Sequence, residues 1–354
     1  MINDQPDSIP EPLFIRRVGI ILGLTLSTLL LLGLMGAAFD VLLLVLAATL
    51  IALPLHAGAR WMSKRTNWPE GVSLAIVALL TIGVLIGMGW VISTSIGGQI
   101  DQLQEQAPKA LKNAEEMLRQ TSFGRQLLKE DIKPEKLLDS GSSRWLGRIS
   151  GAISSTLGSL ADLYVILFLA AFLAAQPTLY RDGLVRLVPK PSRKRAEAVL
   201  DKLGETLLGW LGGKLFSMVV VGVLSFVGLW LLDIQLAGAL ALFAGLITFI
   251  PNFGPIIALI PAVLLALLSG PQQALYVVLL YMGIQLVESN LLTPLIQNKV
   301  ISMPPALVFI SQLIIGIFAG GIGLALATPV MAIVLVMVKM LYVQDVLKDG
   351  SIKV

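Results

Sequence analysis

The sequence predicts an all-α polytopic membrane protein: about eight apolar helical segments, two of them broken or re-entrant, plus an extramembrane helical arm. Three observations carry that prediction. Of 354 residues, 56% are hydrophobic and only 14% charged, with a mean hydropathy of +0.86. Soluble domains carry roughly 25% charged residues, and a soluble fold has nowhere to hide this much apolar surface. Apolar runs of about 20 residues, the length of a helix that crosses a bilayer core, recur along the chain. Two of these runs are interrupted by Pro and Gly, and an acidic residue lies in the apolar run between them.

The same composition excludes several function classes. The net charge of +4 is small for this length and sits beside apolar runs, which points to membrane orientation and not to nucleic acid. There is no cysteine, so disulfides and thiolate metal sites are ruled out, and the single histidine, His56, rules out a histidine metal cluster within one chain. No phosphate-binding GxxxxGK[ST] loop is present and one distant histidine supports no hydrolase triad. Neither an enzyme nor a cofactor is expected.

Taken in order, residues 1–13 are acidic and Pro-rich without a basic start, and read as a disordered tail rather than a signal peptide. Residues 14–97 hold three spans. The first is 18–35, and a Gly-Ala turn at 36–38 is expected to separate it from 41–57; the third is 72–96. Arg60, Lys64 and Arg65 between the second and third place that loop in the cytoplasm, and two crossings before it put the N-terminus there too. Asp40 falls at the expected turn, and His56 at an interfacial helix end. Residues 98–150 carry nearly balanced charge, with Ile100, Leu103, Ala107, Leu111 and Ala114 at three- and four-residue steps. They form an extracytoplasmic amphipathic arm that lies on its own protein or contacts another subunit.

A fourth span occupies 151–176, with Asp162 inside it. Residues 177–214, rich in Lys and Arg from Arg181 to Lys214, read as a cytoplasmic basic amphipathic helix. Val199, Leu203, Leu207 and Leu211 share one face, which fits either the headgroup layer or the bundle. Residues 215–343 form the transmembrane core and 344–354 a cytoplasmic tail.

The core is organised by 245–298. Proline removes a backbone donor and clashes with the preceding turn, so Pro251, Gly254, Pro255 and Pro261 are expected to break the first half of that stretch. Broken backbone at membrane depth survives only where protein buries it or a wet cavity borders it. The second half carries Gln285, Glu288, Asn290 and Thr293, and an ionisable group in a span is a functional candidate by default. Glu288 is read either as a site or as a helix-end acid paired with Lys299 or another basic group. Asn252, in the break, is read either as a ligand for a polar solute or as a cap for freed backbone. The apolar block 306–340 would make a straight helix of roughly 50 Å, too long for a bilayer core of about 30 Å, so a second break is expected at Gly320, Gly321 and Gly323.

These residues resemble a known family. The segments LGWLGGKL (208–215), ALALFAGLITFIPNFGPIIALIPAVLLAL (239–267), QLVESNLLTPLIQNKVISMPPALVFIS (285–311) and GIFAGGIGLALATPVMAIVL (316–335) are similar to the autoinducer-2 exporter family of bacterial inner-membrane proteins. The resemblance covers most of the chain in layout and is strongest over roughly its last 150 residues. It implies a multi-spanning transporter that assembles as a homo-pentamer, exporting autoinducer-2 or exchanging sodium for protons. The family's PxxGP break falls on Pro251, Gly254 and Pro255, and its E-x-N-x-x-x-P pattern on Glu288, Asn290 and Pro294. One departure stands out: many relatives carry Gly-Gln where this chain has Gly213 and Lys214, which puts substrate or coupling in doubt.

The expected function is therefore secondary transport, with export of a small polar solute first and sodium (or lithium)/proton antiport second. A non-transport scaffold using the 98–150 arm is third. Membrane lipid and a small polar solute or cation are the expected partners.

Overall fold

The computed structural model describes residues 11–90, 156–292 and 303–349, and every regular element among them is helical. The arm at 98–150, both chain ends, and Thr293, Pro294 and Lys299 lie outside the described residues. Five described helices are long and apolar enough to cross a membrane, or six if one bent pair is counted as a span.

Helix α1 runs without interruption from Glu11 to Thr66, about 84 Å at helical rise. The turn expected at 36–38 is absent. Alanine is the best helix former and a lone glycine costs only about 1 kcal/mol, so Gly36 followed by two alanines is no stop signal. Asp40 is an exposed mid-helix residue, not a turn residue. A continuous α1 also sends Glu11 and Thr66 to opposite ends, which removes the second crossing that the expected cytoplasmic N-terminus needed. Helix α2 (Glu70–Trp90) leaves from the Thr66 end.

Helix α3 (Thr156–Ala175) packs along α1, with Ala48, Ala52, Ala170 and Ala174 in the seam. Small side chains let two backbones approach closely where lipid offers no hydrophobic drive. His56 Nδ1 bonds the carbonyl of Ala174 at 3.1 Å, which satisfies one orphan acceptor at the α3 end. Pro177 then starts α4 (Pro177–Arg186), bent 86° from α3. Its exposed Leu179, Tyr180 and Leu184 beside Arg181 and Arg186 give it the character of a headgroup-level helix.

Helix α5 (Arg193–Leu231) is one continuous 39-residue helix. The boundary expected at Lys214, between a surface helix and a span, does not exist. The face that carries Val199, Leu207 and Leu211 is buried against α1 and the last helix, so the bundle takes it and not the headgroup layer. Arg195 ties the start of α5 to the helical segment Val338–Val346, pairing with Asp345 at 2.9 Å and donating to the Met340 carbonyl at 2.6 Å. The contacts of α1 with α3 and of Arg195 with Asp345 gather the basic residues at 60–65 and 181–195 at one end of the bundle.

Two helical hairpins complete the core. α6 (Ala237–Ile247) folds back along α5: Gly238 lies by Phe226 and Gly245 by Met218 and Gly222, which fixes an antiparallel course. The chain turns at 248–252 and returns as α7 (Phe253–Ser269). Helix α8 (Pro271–Val287) follows after Gly270 and ends in a wider π-type turn, Glu288–Leu292. α9 (Pro305–Met337) contains the second hairpin. Gly320 takes φ 58° and ψ −139°, and Gly323 then lies against the backbone carbonyl of Ile315. Residues eight apart in a straight helix would be separated by about 12 Å, so the chain doubles back here.

Of the expected breaking residues, Pro251 and Gly320 lie at breaks. Pro255 sits in the first turn of α7, where a missing N–H costs little. Pro261 lies inside α7, which continues through it to Ser269, and Gly321 and Gly323 are helical. A membrane-embedded helix tolerates one lost bond when its neighbours hold it in place.

Candidate transport site

One face of α5 builds the site. Trp210, Lys214, Ser217 and Val221 follow each other at helical steps, and all four are buried. Trp210 meets Phe249 of the first hairpin edge-on at 5.8 Å between centroids. Below it, Lys214 Nζ lies 3.4 Å from Glu288 Oε1, and Ser217 Oγ donates to the same oxygen at 3.3 Å. Both charged side chains are about 10% exposed. Val221 packs on Ile284 and Leu292, which closes the apolar side of the pair. α8 supplies Glu288 at its end, where the wider turn directs the carboxylate to α5 and leaves Ser289 and Asn290 exposed.

Isolated charges cannot be left in such a place. Desolvating each ion costs several kcal/mol, and only a close, hydrogen-bonded partner offsets it. Among the described residues Glu288 has a basic partner in Lys214, 74 residues away.

The second centre is the hairpin tip. The carbonyl of Pro251 accepts from the Phe253 N–H at 2.7 Å, closing a three-residue turn with Asn252 at φ 63° and ψ −46°. That γ-turn conformation is rare and strained. Gln312, fully buried on the first limb of α9, holds it twice. It donates through Nε2 to the Pro251 carbonyl at 2.8 Å and accepts through Oε1 from Asn252 Nδ2 at 2.8 Å. Phe253 stacks on Phe309 one turn before Gln312. Gly254 is wedged against the end of α6, where an added Cβ would stand 2.3 Å from the Ile247 carbonyl oxygen.

The two centres are neighbours along α5, since Trp210, one turn before Lys214, meets Phe249 of the first hairpin. Lys214 lies roughly 26 Å of helix from the Leu231 end of α5, and α8 brings Glu288 down a similar length from Pro271. The sequence candidates therefore divide. Glu288 enters the paired centre, and Asn252, Pro251 and Gly254 form the tip, with Pro255 just behind it. Gln285, one turn before Glu288, is half-buried, and its Oε1 has no hydrogen-bond partner among the described residues. Asn290 is exposed and donates to the Leu286 carbonyl, away from the pair. Thr293 lies outside the described residues. Gln312 is not among the sequence candidates, and Lys214 enters there only as a departure from relatives and as one of the cytoplasmic basic residues. The polar dipeptide at 311–312, early in an apolar block, was the available signal for Gln312.

Helices broken within the bundle, around a buried ion pair, are the architecture of a multi-pass membrane transporter. A family model described as AI-2E family transporter matches residues 20–342, and the chain belongs to that family. Among its relatives, "Putative transport protein YrrI" of Bacillus subtilis strain 168 is 27% identical over 77% of this chain and 80% of its own length. "Putative transport protein YhhT" of Escherichia coli strain K12 is 24% identical over 94% of this chain and 92% of its own. "AI-2 transport protein TqsA" of the same strain is 22% identical over 89% and 90%.

Proposed function

We propose that this protein is a secondary transporter that exports a small polar solute, with the paired centre and the hairpin tip on the solute's path. The observation that carries the reading is a buried Lys-Glu pair, with a serine hydroxyl, one turn along α5 from the contact with a strained helical hairpin. A purely structural core gains little from such a pair, since packed apolar residues of equal volume hold a bundle as well or better. A path for polar solutes needs hydrogen-bonding groups that can exchange partners, and both centres supply them. Because one relative carries AI-2 in its name, AI-2 is the first solute to test.

The positive-inside rule assigns the basic end of the bundle to the cytoplasm. On that reading the turns around Asp345, which Arg195 holds, face the cytoplasm of a bacterial inner-membrane protein. Large apolar side chains exposed on α2, such as Leu79, Ile86 and Trp90, suit lipid or neighbouring copies in a homo-oligomer.

Sodium/proton antiport is the weaker reading, because Glu288 already holds a cation in Lys214. The scaffold reading rests on the 98–150 arm and gains nothing from the described residues. The test is solute flux in proteoliposomes. Glu288→Gln is expected to abolish AI-2 flux while the protein stays folded, and unchanged flux in that variant would remove Glu288 from the path.

A further inference from the structure

The buried polar side chains of α5 fall in one stripe. Thr206, Lys214, Ser217 and Ser225 succeed one another at helical steps, on the face that Trp210 and Val221 also occupy. From Thr206 to Ser225 the stripe runs about 28 Å along the helix. Over its second half α8 covers it, and three contacts fix the register. Lys214 and Ser217 meet Glu288, Val221 packs on Ile284, and Leu280 lies over Gly228. Between the last two, Ser225 meets Tyr281, and the serine hydroxyl acts on the tyrosine hydroxyl. Ser225 is fully buried and Tyr281 is 6% exposed. Neither hydroxyl completes a hydrogen bond among the described residues.

Two such groups weaken a fold. Alanine and phenylalanine would fill the same places without leaving a buried hydroxyl unsatisfied. A guest that both donates and accepts hydrogen bonds removes the penalty while it is present. The charged pair lies about 10 Å away along α8, beyond Val221 and Ile284. Two hydroxyls at that distance from the charges suit a neutral guest and not an ion.

We infer that Ser225 and Tyr281 form a second station for a neutral solute bearing hydroxyl or carbonyl groups, separated from the paired centre by an apolar collar at Val221 and Ile284. A solute passing the collar exchanges the hydrogen bonds of one station for those of the next. The collar keeps a continuous file of water from joining the stations, in the manner of constrictions that gate by dewetting. The inference rests on the transport reading of the paired centre and goes further, because it assigns a second site and the class of solute that fits it.

The experiment measures AI-2 flux in proteoliposomes and thermal unfolding of the full chain for Tyr281→Phe and Ser225→Ala. Each variant removes one hydroxyl and little else. Flux is expected to fall several-fold in each, up to about tenfold, the worth of one hydrogen bond. The unfolding temperature is expected to stay equal or rise, because an unsatisfied group has gone. Ser225→Cys gives a readout that needs no solute, since the chain has no native cysteine. A small charged methanethiosulfonate is expected to modify it in proteoliposomes, because the reactive thiolate forms only where water reaches.

Unchanged flux in either hydroxyl variant, with wild-type flux present, overturns the inference alone. So does lost flux together with a lower unfolding temperature, which would make the hydroxyls structural. An inert Ser225→Cys overturns it too. Absent wild-type flux defeats the transport reading of AI-2, and the Ser225→Cys reaction then decides the station by itself.

Discussion

The two hairpins have the same topology and turn by opposite means. The first turns over five residues, with a strained γ-turn at Asn252, and is held from outside by Gln312. The second turns on Gly320 alone, with Ile317 and Phe318 beside it about 80% and 77% exposed. The first tip is thus a latched element and the second a free bend. The difference follows from surroundings. Backbone groups freed inside the bundle must find protein partners, and a buried glutamine amide offers both a donor and an acceptor. A turn whose flanks face outward needs only a residue able to adopt positive φ, which glycine does without steric cost.

That contrast predicts a ranked set of losses. The largest belongs to Gly254→Ala, whose Cβ would lie 2.3 Å from a backbone carbonyl that has no side-chain freedom to yield. A cost near about 3 kcal/mol, the upper end for overpacking, is expected as a fall in unfolding temperature. Wild-type stability in this variant would mean that the tip is not wedged against α6.

Next comes Gly320→Ala. Nothing stands near the new methyl group, so the cost is conformational, about 2 kcal/mol for a side chain forced into φ 58° and ψ −139°. Thermal unfolding reads it, and a neutral result would show that the second hairpin bends elsewhere. The smallest loss is expected for Gln312→Met, which keeps the volume but removes both bonds to the tip. Asn252 is exposed and its amide can turn to other partners, so about 1 kcal/mol is expected, mostly from the Pro251 carbonyl. Solute flux should fall more than stability does, because the latch positions the tip; equal stability and flux would reduce Gln312 to packing.

Much of this architecture was legible in the sequence, and the rest was hidden for physical reasons. Pro251 with Gly254 marked one break and the Gly320 cluster the other, because both carry strong local conformational preferences. Glu288 stood out as an acid in an apolar run. Lys214 stood out only as a departure from relatives and not as its partner, since local charge counting assigns Lys214 to the basic stretch before it, and only the antiparallel packing of α5 and α8 brings 214 to 288. Gln312 was hidden likewise: its meaning lies in a turn about 60 residues earlier. The absent turn in α1 and the unbroken helix at Pro261 show the reverse error, in which a local signal is overruled by the bundle around it.

The chain has no native cysteine, so single substitutions can be labelled without background. Ser217→Cys and Asn252→Cys, each in everted vesicles with a membrane-impermeant maleimide, test whether paired centre and tip share a wet route open to the cytoplasm. Both positions are expected to react during transport, and excess solute should slow labelling at both. Reaction at Asn252→Cys alone, with Ser217→Cys inert while flux continues, would contradict it.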